Sequence, residues 1–283
     1  GVGEWATTTV AIGKNETLEI KKEIHFPHSL GLLYSAFTYY TGFKVNSGEY
    51  KLMGLAPYGN PIYSDKIYKL IHIKDDGTFR LDQTFFNYAT GLTMTNKKFD
   101  KLFGQKPRDP QKEKLTQFHM DIASSIQKVT EDIMIKLAKS LKNEYDIENL
   151  CLAGGVALNC VANGKLLKEK IFKNIWIQPA AGDAGGSLGA ALALWHIDQN
   201  NPRKLNTIDS MQGSYLGPEF SQNEIEEELR NIGANFETMK EDELINRTAE
   251  SISKGDGYFP TKCRKPSWTR ISARKNFSRA KSR

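Results

Sequence analysis

ENLCLAGGVALNCVANG, residues 148–164, is the stretch from which the fold of this chain is predicted. Residues 150–153 are a short apolar run typical of a buried strand, and residues 156–159 open a helical pattern. Gly154 and Gly155 separate the two, and two glycines at such a junction let a bulky ligand approach the backbone. The first amides of the helix are unpaired donors at the positive end of its dipole. The stretch therefore predicts a strand–turn–helix unit whose turn faces a ligand.

A second junction of the same kind follows. Residues 175–177 predict a strand, residues 179–181 a turn, and residues 182–186 (GDAGG) a loop that enters an Ala-rich helix. Two glycine-rich strand ends side by side, one carrying Asp183, favour a phosphate or metal site. The alternative is two tight turns in an α/β domain, which are common without ligands. Asp183 is likewise either a metal ligand that points toward Gly154 and Gly155 or a cap of its own helix.

Composition and charge restrict the classes of protein to which this chain can belong. The 283 residues are 39% hydrophobic and 10% aromatic, which fits a globular protein, and no apolar run approaches the roughly 18 residues of a membrane span. Nine of the 39 Lys and Arg lie in residues 261–283, which contain no acid, so the preceding 260 residues carry 30 basic and 33 acidic side chains. We therefore expect no membrane and no nucleic acid as partner.

The cysteines and the two ends of the chain carry further expectations. Cys151, Cys160 and Cys263 have no CxxC spacing, and Cys151 lies in an apolar strand, which predicts a reducing, cytoplasmic location. The first residue is not Met, so we expect a fragment of a longer protein. After residue 255 periodicity disappears and Lys, Arg, Ser and Pro dominate, which predicts a disordered basic tail over residues 256–283.

The earlier half of the chain supplies the remaining elements. Residues 1–24 predict a hairpin whose glycines can wrap a phosphate, and residues 111–143 predict a long helix with one apolar stripe. We expect that helix to pack on a single sheet that joins the hairpin to the strands at 150–153 and 175–177. Residues 45–59 predict either a substrate-facing turn or a packed loop. His25 and His28 are interpreted as structural or capping residues, with a metal site as the alternative, and His119 as a packed or solvated histidine.

Five motifs in this order resemble carbamoyltransferases of the nodulation-protein U and antibiotic O-carbamoyltransferase family. The resemblance extends from residue 1 to about residue 253. The motifs are GVGEWATT at 1–8, FPHSLGLLYSAF at 26–37, NSGEYKLMGLAPYG at 46–59, GGVALN at 154–159 and GDAGGSLGA at 182–190.

The resemblance implies an α/β fold. Residues 1–200 would be the second lobe of an actin-like ATPase domain of the sugar kinase/Hsp70/actin superfamily, with a large helical insertion. Residues 201–255 would be a linker and the start of a YrdC-like domain, and residues 256–283 an aberrant tail. In this family the YrdC-like domain makes carbamoyladenylate from carbamoyl phosphate and ATP. The actin-like domain then transfers the carbamoyl group to a hydroxyl of a small-molecule acceptor.

The resemblance also implies roles for individual residues. The nucleotide, ATP or carbamoyladenylate, would contact Gly1, Gly3, Gly154, Gly155 and Asn159. The resemblance identifies no catalytic residue in this chain. Asp183 would bind a divalent metal, which is iron (Fe2+) in the family, and Glu49 and Lys51 are candidates for binding the acceptor. The family's first lobe, with its pair of metal-binding histidines, has no counterpart here. The alternative function is therefore a non-catalytic nucleotide-binding remnant that needs a missing lobe.

Overall fold

The computed structural model describes residues 2, 5–203, 211, 214, 218 and 220–254, which fall into two units, Gly1–Arg203 and Lys204–Arg283. The first unit mixes short strands and helices, as the sequence predicts. In chain order these are β1 (Ala6–Lys14), β2 (Thr17–His25), α1 (Leu30–Tyr40), α2 (Glu49–Leu55), α3 (Ser64–Tyr68), β3 (Ile71–Ile73), β4 (Phe79–Leu81), α4 (Lys97–Phe103), α5 (Gln117–Tyr145), β5 (Asn149–Leu152), α6 (Cys160–Lys168), β6 (Asn174–Ile177) and α7 (Asp183–Ala193).

The main core lies where α1, α4 and α5 meet. Phe37 and Tyr40 of α1 are fully buried against Phe99 of α4, with ring centroids 5.2 and 5.0 Å from that of Phe99. From α5, Ile122 and Ile126 enter the same core at the four-residue spacing that puts side chains on one helix face. The predicted apolar stripe is therefore the face of α5 that packs into the main core.

The beginning of α5 is set by a cap. The sequence predicts a helix over residues 111–143, but the helix begins at Gln117 because Thr116 and His119 form a capping box. The backbone N–H of Thr116 donates to His119 Nδ1 over 3.1 Å. Reciprocal capping satisfies donors that a helix end otherwise leaves unpaired. His119 is buried, so of the two interpretations, packed or solvated, the structure confirms the packed one.

The prediction of one sheet is wrong for the described residues. β1 pairs antiparallel with β2, β3 pairs with β4, and β5 pairs parallel with β6, each as a separate two-stranded sheet. Helix α5 lies against both the hairpin and the parallel pair. Its Leu141 lines a crevice with Val10 of β1, whereas Ala138 packs in a small core with Leu150 of β5. Leu137, which also lines the crevice, is adjacent to Ala138, and successive side chains leave a helix about 100° apart, so one helix supports two sheets without joining them.

Among the described residues, the parallel pair is covered on one face only. Leu150 and Leu152 pack toward α5 and α6, whereas Cys151 and Trp176 point away and are exposed. The apolar strand predicted to bury Cys151 therefore buries its alternate residues instead, as the two-residue period of a strand requires. Small residues would allow α7 to pack tightly on a sheet. Among the described residues of α7, however, none is buried, so α7 does not pack in that way.

The described part of the second unit contains α8 (Gln222–Asn231) and α9 (Glu241–Ser253). Helix α8 begins with a capping box formed by Ser221 and Glu224. The expected disorder of residues 256–283 lies outside the described residues. Across the described ranges, we find no helix with the length and apolar character that spanning a bilayer requires.

Candidate functional site

The structure brings the two glycine-rich turns together. Strands β5 and β6 are parallel and in register, with Leu152 opposite Ile177, so both end at the same edge of the pair. Beyond that edge, the backbone N–H of Gly154 donates to the carbonyl oxygen of Ala181 over 2.7 Å. The turn that follows β5 is thus bonded to the turn that leads into α7, as expected for the carboxyl ends of adjacent parallel strands.

Backbone geometry explains two of the glycines. Gly154 has φ +96° and ψ 162°, a conformation that side chains disfavour strongly. Gly155 then begins a 3-10 turn, Gly155–Leu158, and a Cβ added at Gly155 would meet open space. Gly154 is therefore required by its backbone, whereas Gly155 leaves a bare, accessible stretch of main chain.

Asn159 connects this turn to α6. Its N–H donates to the carbonyl of Val156 over 3.0 Å, and its Oδ1 accepts from the N–H of Ala162 over 3.0 Å. The side chain is thus the N-cap of α6. It also faces Gln127 of α5, to which Nδ2 donates over 3.0 Å. Among the described residues the second hydrogen of Nδ2 has no partner, and it is the atom that could still contact a nucleotide.

A buried polar network lies directly behind Asn159, and the sequence analysis missed it. Gln127 Oε1 accepts from the Tyr34 hydroxyl over 3.0 Å, and Gln127 Nε2 donates to Asn159 Oδ1 and to Glu131 Oε1, each over 3.0 Å. Glu131 Oε2 accepts from Lys165 Nζ of α6 over 2.8 Å. Gln127 and Glu131 are four residues apart on the apolar side of α5, and that placement of two polar residues was the available signal.

The protein surroundings keep the Tyr34 hydroxyl and the Lys165 ammonium protonated. Burial raises the pKa of Tyr34 far above its ordinary value of 10.0, and the nearby charges of Glu49 and Glu131 raise it further. The hydroxyl therefore stays protonated and donates to Gln127. The hydrogen bond to Glu131 raises the pKa of Lys165, so the ammonium that pairs with Glu131 stays charged.

The segment at residues 45–59 lies next to the turn at residues 154–158, which is called the glycine turn below. Met53 Sδ of α2 is 3.9 Å from Cys160 Sγ, the first residue of α6. Glu49, predicted to bind the acceptor, holds the start of α2: its carboxylate accepts from Ser35 Oγ over 2.8 Å and from the backbone N–H of Asn46 over 3.0 Å. Those contacts give Glu49 a structural role, and its contact with the acceptor stays a prediction.

Lys51 is exposed, and its Nζ lies 5.9 Å from the ring centroid of Tyr50, whose side chain is also exposed. It therefore remains accessible to a ligand. His28 accepts the N–H of Leu81 on Nδ1 over 3.1 Å, and His25 pairs with Glu23, so both contacts are structural. The predicted contacts of Gly1 and Gly3 lie outside the described residues.

Asp183 is the first residue of α7, and its side chain is exposed. The N-cap of α7 is Gly182, and within the described residues the Asp183 carboxylate makes no capping hydrogen bond. No three His, Cys, Asp or Glu side chains in the described ranges lie close enough together to hold a metal ion. Asp183 alone does not form an iron site, so that prediction depends on ligands beyond the described residues.

Comparison with known proteins agrees with the motifs. A family model described as "Carbamoyltransferase N-terminus" matches residues 1–192. An uncharacterized protein of Synechocystis sp. is 59% identical over 264 residues, which cover 92% of this chain and 43% of that protein. Nodulation protein NolNO of Sinorhizobium fredii is 35% identical over 90% of this chain and 35% of its own length. Nodulation protein NolO of Bradyrhizobium diazoefficiens is 30% identical over 90% of this chain and 44% of its own length.

The chain thus spans less than half the length of these curated relatives. The match to the family model nevertheless includes both glycine turns and extends over more than half of the 283 residues. The chain therefore belongs to the carbamoyltransferase family.

Proposed function

We propose that this chain supplies the nucleotide-facing part of an O-carbamoyltransferase, which moves a carbamoyl group from carbamoyladenylate to a hydroxyl of a small molecule. The observation that carries the proposal is the hydrogen bond between Gly154 and Ala181, which joins the two glycine turns at one edge of the parallel pair. Family membership supports carbamoyl transfer in general, and the paired turns favour a phosphate-bearing donor.

The turns offer backbone donors to a phosphate. Gly182 precedes the first turn of α7 and has no side chain with which to cap it, and Gly155 exposes main chain at the start of its 3-10 turn. Unpaired N–H groups at the positive end of a helix favour anions. The phosphate of an acyl-adenylate would therefore lie between these turns, with the carbamoyl carbon beyond it.

Transfer requires attack of the acceptor oxygen on the carbamoyl carbon, formation of a new C–O bond and cleavage of the bond to the phosphate oxygen. AMP leaves with the electron pair of that bond, and the acceptor's proton passes to a base. We assign no described residue as that base. The contribution of this chain is to position the adenylate and to stabilise charge on the departing phosphate.

In the same proposal, residues 1–200 form the second lobe of an actin-like ATPase domain and residues 201–255 lead into a YrdC-like domain. The strand–turn–helix units at β5–α6 and β6–α7 support the first assignment. ATP and carbamoyl phosphate would then be the substrates from which the adenylate is made. Lys51, exposed on the α2 segment beside α6, is the described candidate for contacting the acceptor.

Calorimetric titration of the 283-residue chain with ATP tests the nucleotide site, and we expect saturable binding. A second assay follows label from carbamoyl phosphate, in the presence of ATP, into a set of hydroxyl compounds. Binding without transfer would support the alternative function, a nucleotide-binding remnant. Absence of binding to ATP and to AMP would contradict the proposal.

A further inference from the structure

Gln127 and Asn159 form a reciprocal amide pair between α5 and the glycine turn. Gln127 Nε2 donates to Asn159 Oδ1, and Asn159 Nδ2 donates to Gln127 Oε1, both over 3.0 Å. Gln127 is only 4% exposed and Asn159 is half-buried, so the Gln127 side of the pair is sheltered from water. Hydrogen bonds of buried amides are costly to leave unmade, which makes the pair a strong constraint on where Asn159 can lie.

The orientation of the Gln127 amide is determined from its other side. Its Oε1 also accepts from the Tyr34 hydroxyl, and its Nε2 also donates to Glu131 Oε1. The side chain therefore uses both hydrogens of its amide nitrogen and both acceptor positions of its oxygen. A rotated amide would place its oxygen against the Glu131 carboxylate, acceptor against acceptor, so a single orientation is presented to Asn159.

Because Asn159 is itself hydrogen-bonded to the glycine turn, fixing Asn159 also restricts the turn. It closes the 3-10 turn Gly155–Leu158 through its N–H and caps α6 through its Oδ1. The turn itself has little packing to hold it, because Ala157 is its one fully buried residue. Polar contacts must therefore supply much of its order. They include the bond from Asn163 Nδ2 to the carbonyl of Ala157, 2.7 Å long.

We propose that Gln127 is a positioning residue for the glycine turn: it fixes Asn159 and thereby presets the backbone that binds the phosphate of a nucleotide. This rests on the proposed function for the identity of the ligand. Gln127 touches no ligand in this scheme, since all of its polar positions are occupied by protein groups. It acts by reducing the ordering that the turn would otherwise undergo on binding.

The test compares Gln127→Met, which retains the length of the side chain but removes its hydrogen bonds, with Thr130→Val. Thr130 is a matched control because it is 1% exposed on the same helix and its hydroxyl donates to the carbonyl of Ile126 in its own helix. ATP affinity of the whole chain is measured by calorimetry. We expect Gln127→Met to weaken binding about tenfold and Thr130→Val to leave it within about twofold.

A double-mutant cycle separates positioning from a general loss of stability. If Gln127 acts through Asn159, Gln127→Met should have no further effect on ATP affinity in an Asn159→Ala background. Independent, additive losses would overturn the proposal. Should Gln127→Met fail to fold, Tyr34→Phe removes only the hydroxyl that donates to Gln127 Oε1, and it should produce a smaller loss of the same kind. Unchanged affinity in Tyr34→Phe would then count against the proposal.

A second readout needs no nucleotide. Amide hydrogen exchange over residues 154–163 of the free chain should be about tenfold faster in Gln127→Met and unchanged in Thr130→Val. Unchanged exchange in Gln127→Met overturns the positioning role whether or not ATP binds. Failure of the unmutated chain to bind both ATP and AMP would instead contradict the proposed function, and exchange alone would then decide whether Gln127 positions the turn.

Discussion

Gly185 lies so close to the carbonyl oxygen of Ala180 that a Cβ at position 185 would be 2.2 Å from that oxygen. The contact joins the first turn of α7 to the loop that carries the hydrogen bond from Gly154 to Ala181. A side chain at position 185 would therefore push α7 away from the loop and disturb the site at which the two turns meet.

Gly185→Ala should destabilise the chain by about 1–3 kcal/mol, because the clash is with backbone and cannot be relieved by a side-chain rotation. Gly189→Ala is the matched control in the same helix. A Cβ there meets open space, and alanine is the better helix former, so we expect a gain of about 0.5–1 kcal/mol. Urea unfolding measures both. Equal effects at the two positions would contradict the close contact.

Gly154→Ala should lower stability by about 1–3 kcal/mol, because φ +96° is strained for any residue with a Cβ. ATP binding should weaken with it, since relaxing that strain moves the turn. Gly155→Ala, one residue later, has neither a positive φ nor a close neighbour, and should change stability by less than about 0.5 kcal/mol. Thermal melting and calorimetry on both variants check this. A Gly155→Ala variant as unstable as Gly154→Ala would refute the backbone argument.

Stability should fall as the pH drops below about 6.5, and His119 should be one cause. Burial lowers the pKa of His119 below its ordinary value of 6.5, and the charge of Arg108 lowers it further. Its Nδ1 must be unprotonated to accept the N–H of Thr116. Because the pKa of His119 is lower in the folded chain than in the unfolded chain, His119 contributes fully to the free energy of unfolding above pH 6.5. That contribution is lost as the pH falls through the pKa of the folded state.

His119→Gln should therefore reduce the difference between the unfolding free energies at pH 7.5 and pH 5. His28, whose pKa burial also lowers, should retain part of that difference. His25→Gln is the control, because His25 is exposed and pairs only with Glu23 in the described structure. Urea unfolding at the two pH values measures the effect. An unaltered pH dependence in His119→Gln would exclude this role.

Asp183→Asn should change stability by less than about 1 kcal/mol, because Asp183 is exposed and interacts mainly with the dipole of α7. If the carboxylate belongs to the functional site, carbamoyl transfer should slow while the melting temperature hardly changes. Melting temperatures and the labelled-carbamoyl assay together show whether Asp183 contributes to carbamoyl transfer or only to stability. A normal transfer rate in an active preparation would remove Asp183 from the site.

Local features of this chain could be predicted because their causes lie within a few residues. The strand before Gly154, the strand before the GDAGG turn and the apolar stripe of α5 follow from periodicity and glycine placement. The meeting of the two turns also followed, since parallel strands end at a common edge. The early start predicted for α5 failed because the Thr116–His119 cap competes with simple helical periodicity.

By itself, then, the sequence determined the strand–turn–helix units and the family to which the chain belongs. Only the tertiary structure decided that the hairpin and the parallel pair are separate sheets, and that Gln127 lies behind Asn159. Both depend on which surfaces of α5 face which partners. Such contacts join residues far apart in the chain, 32 positions in the case of Gln127 and Asn159, and no local propensity specifies them.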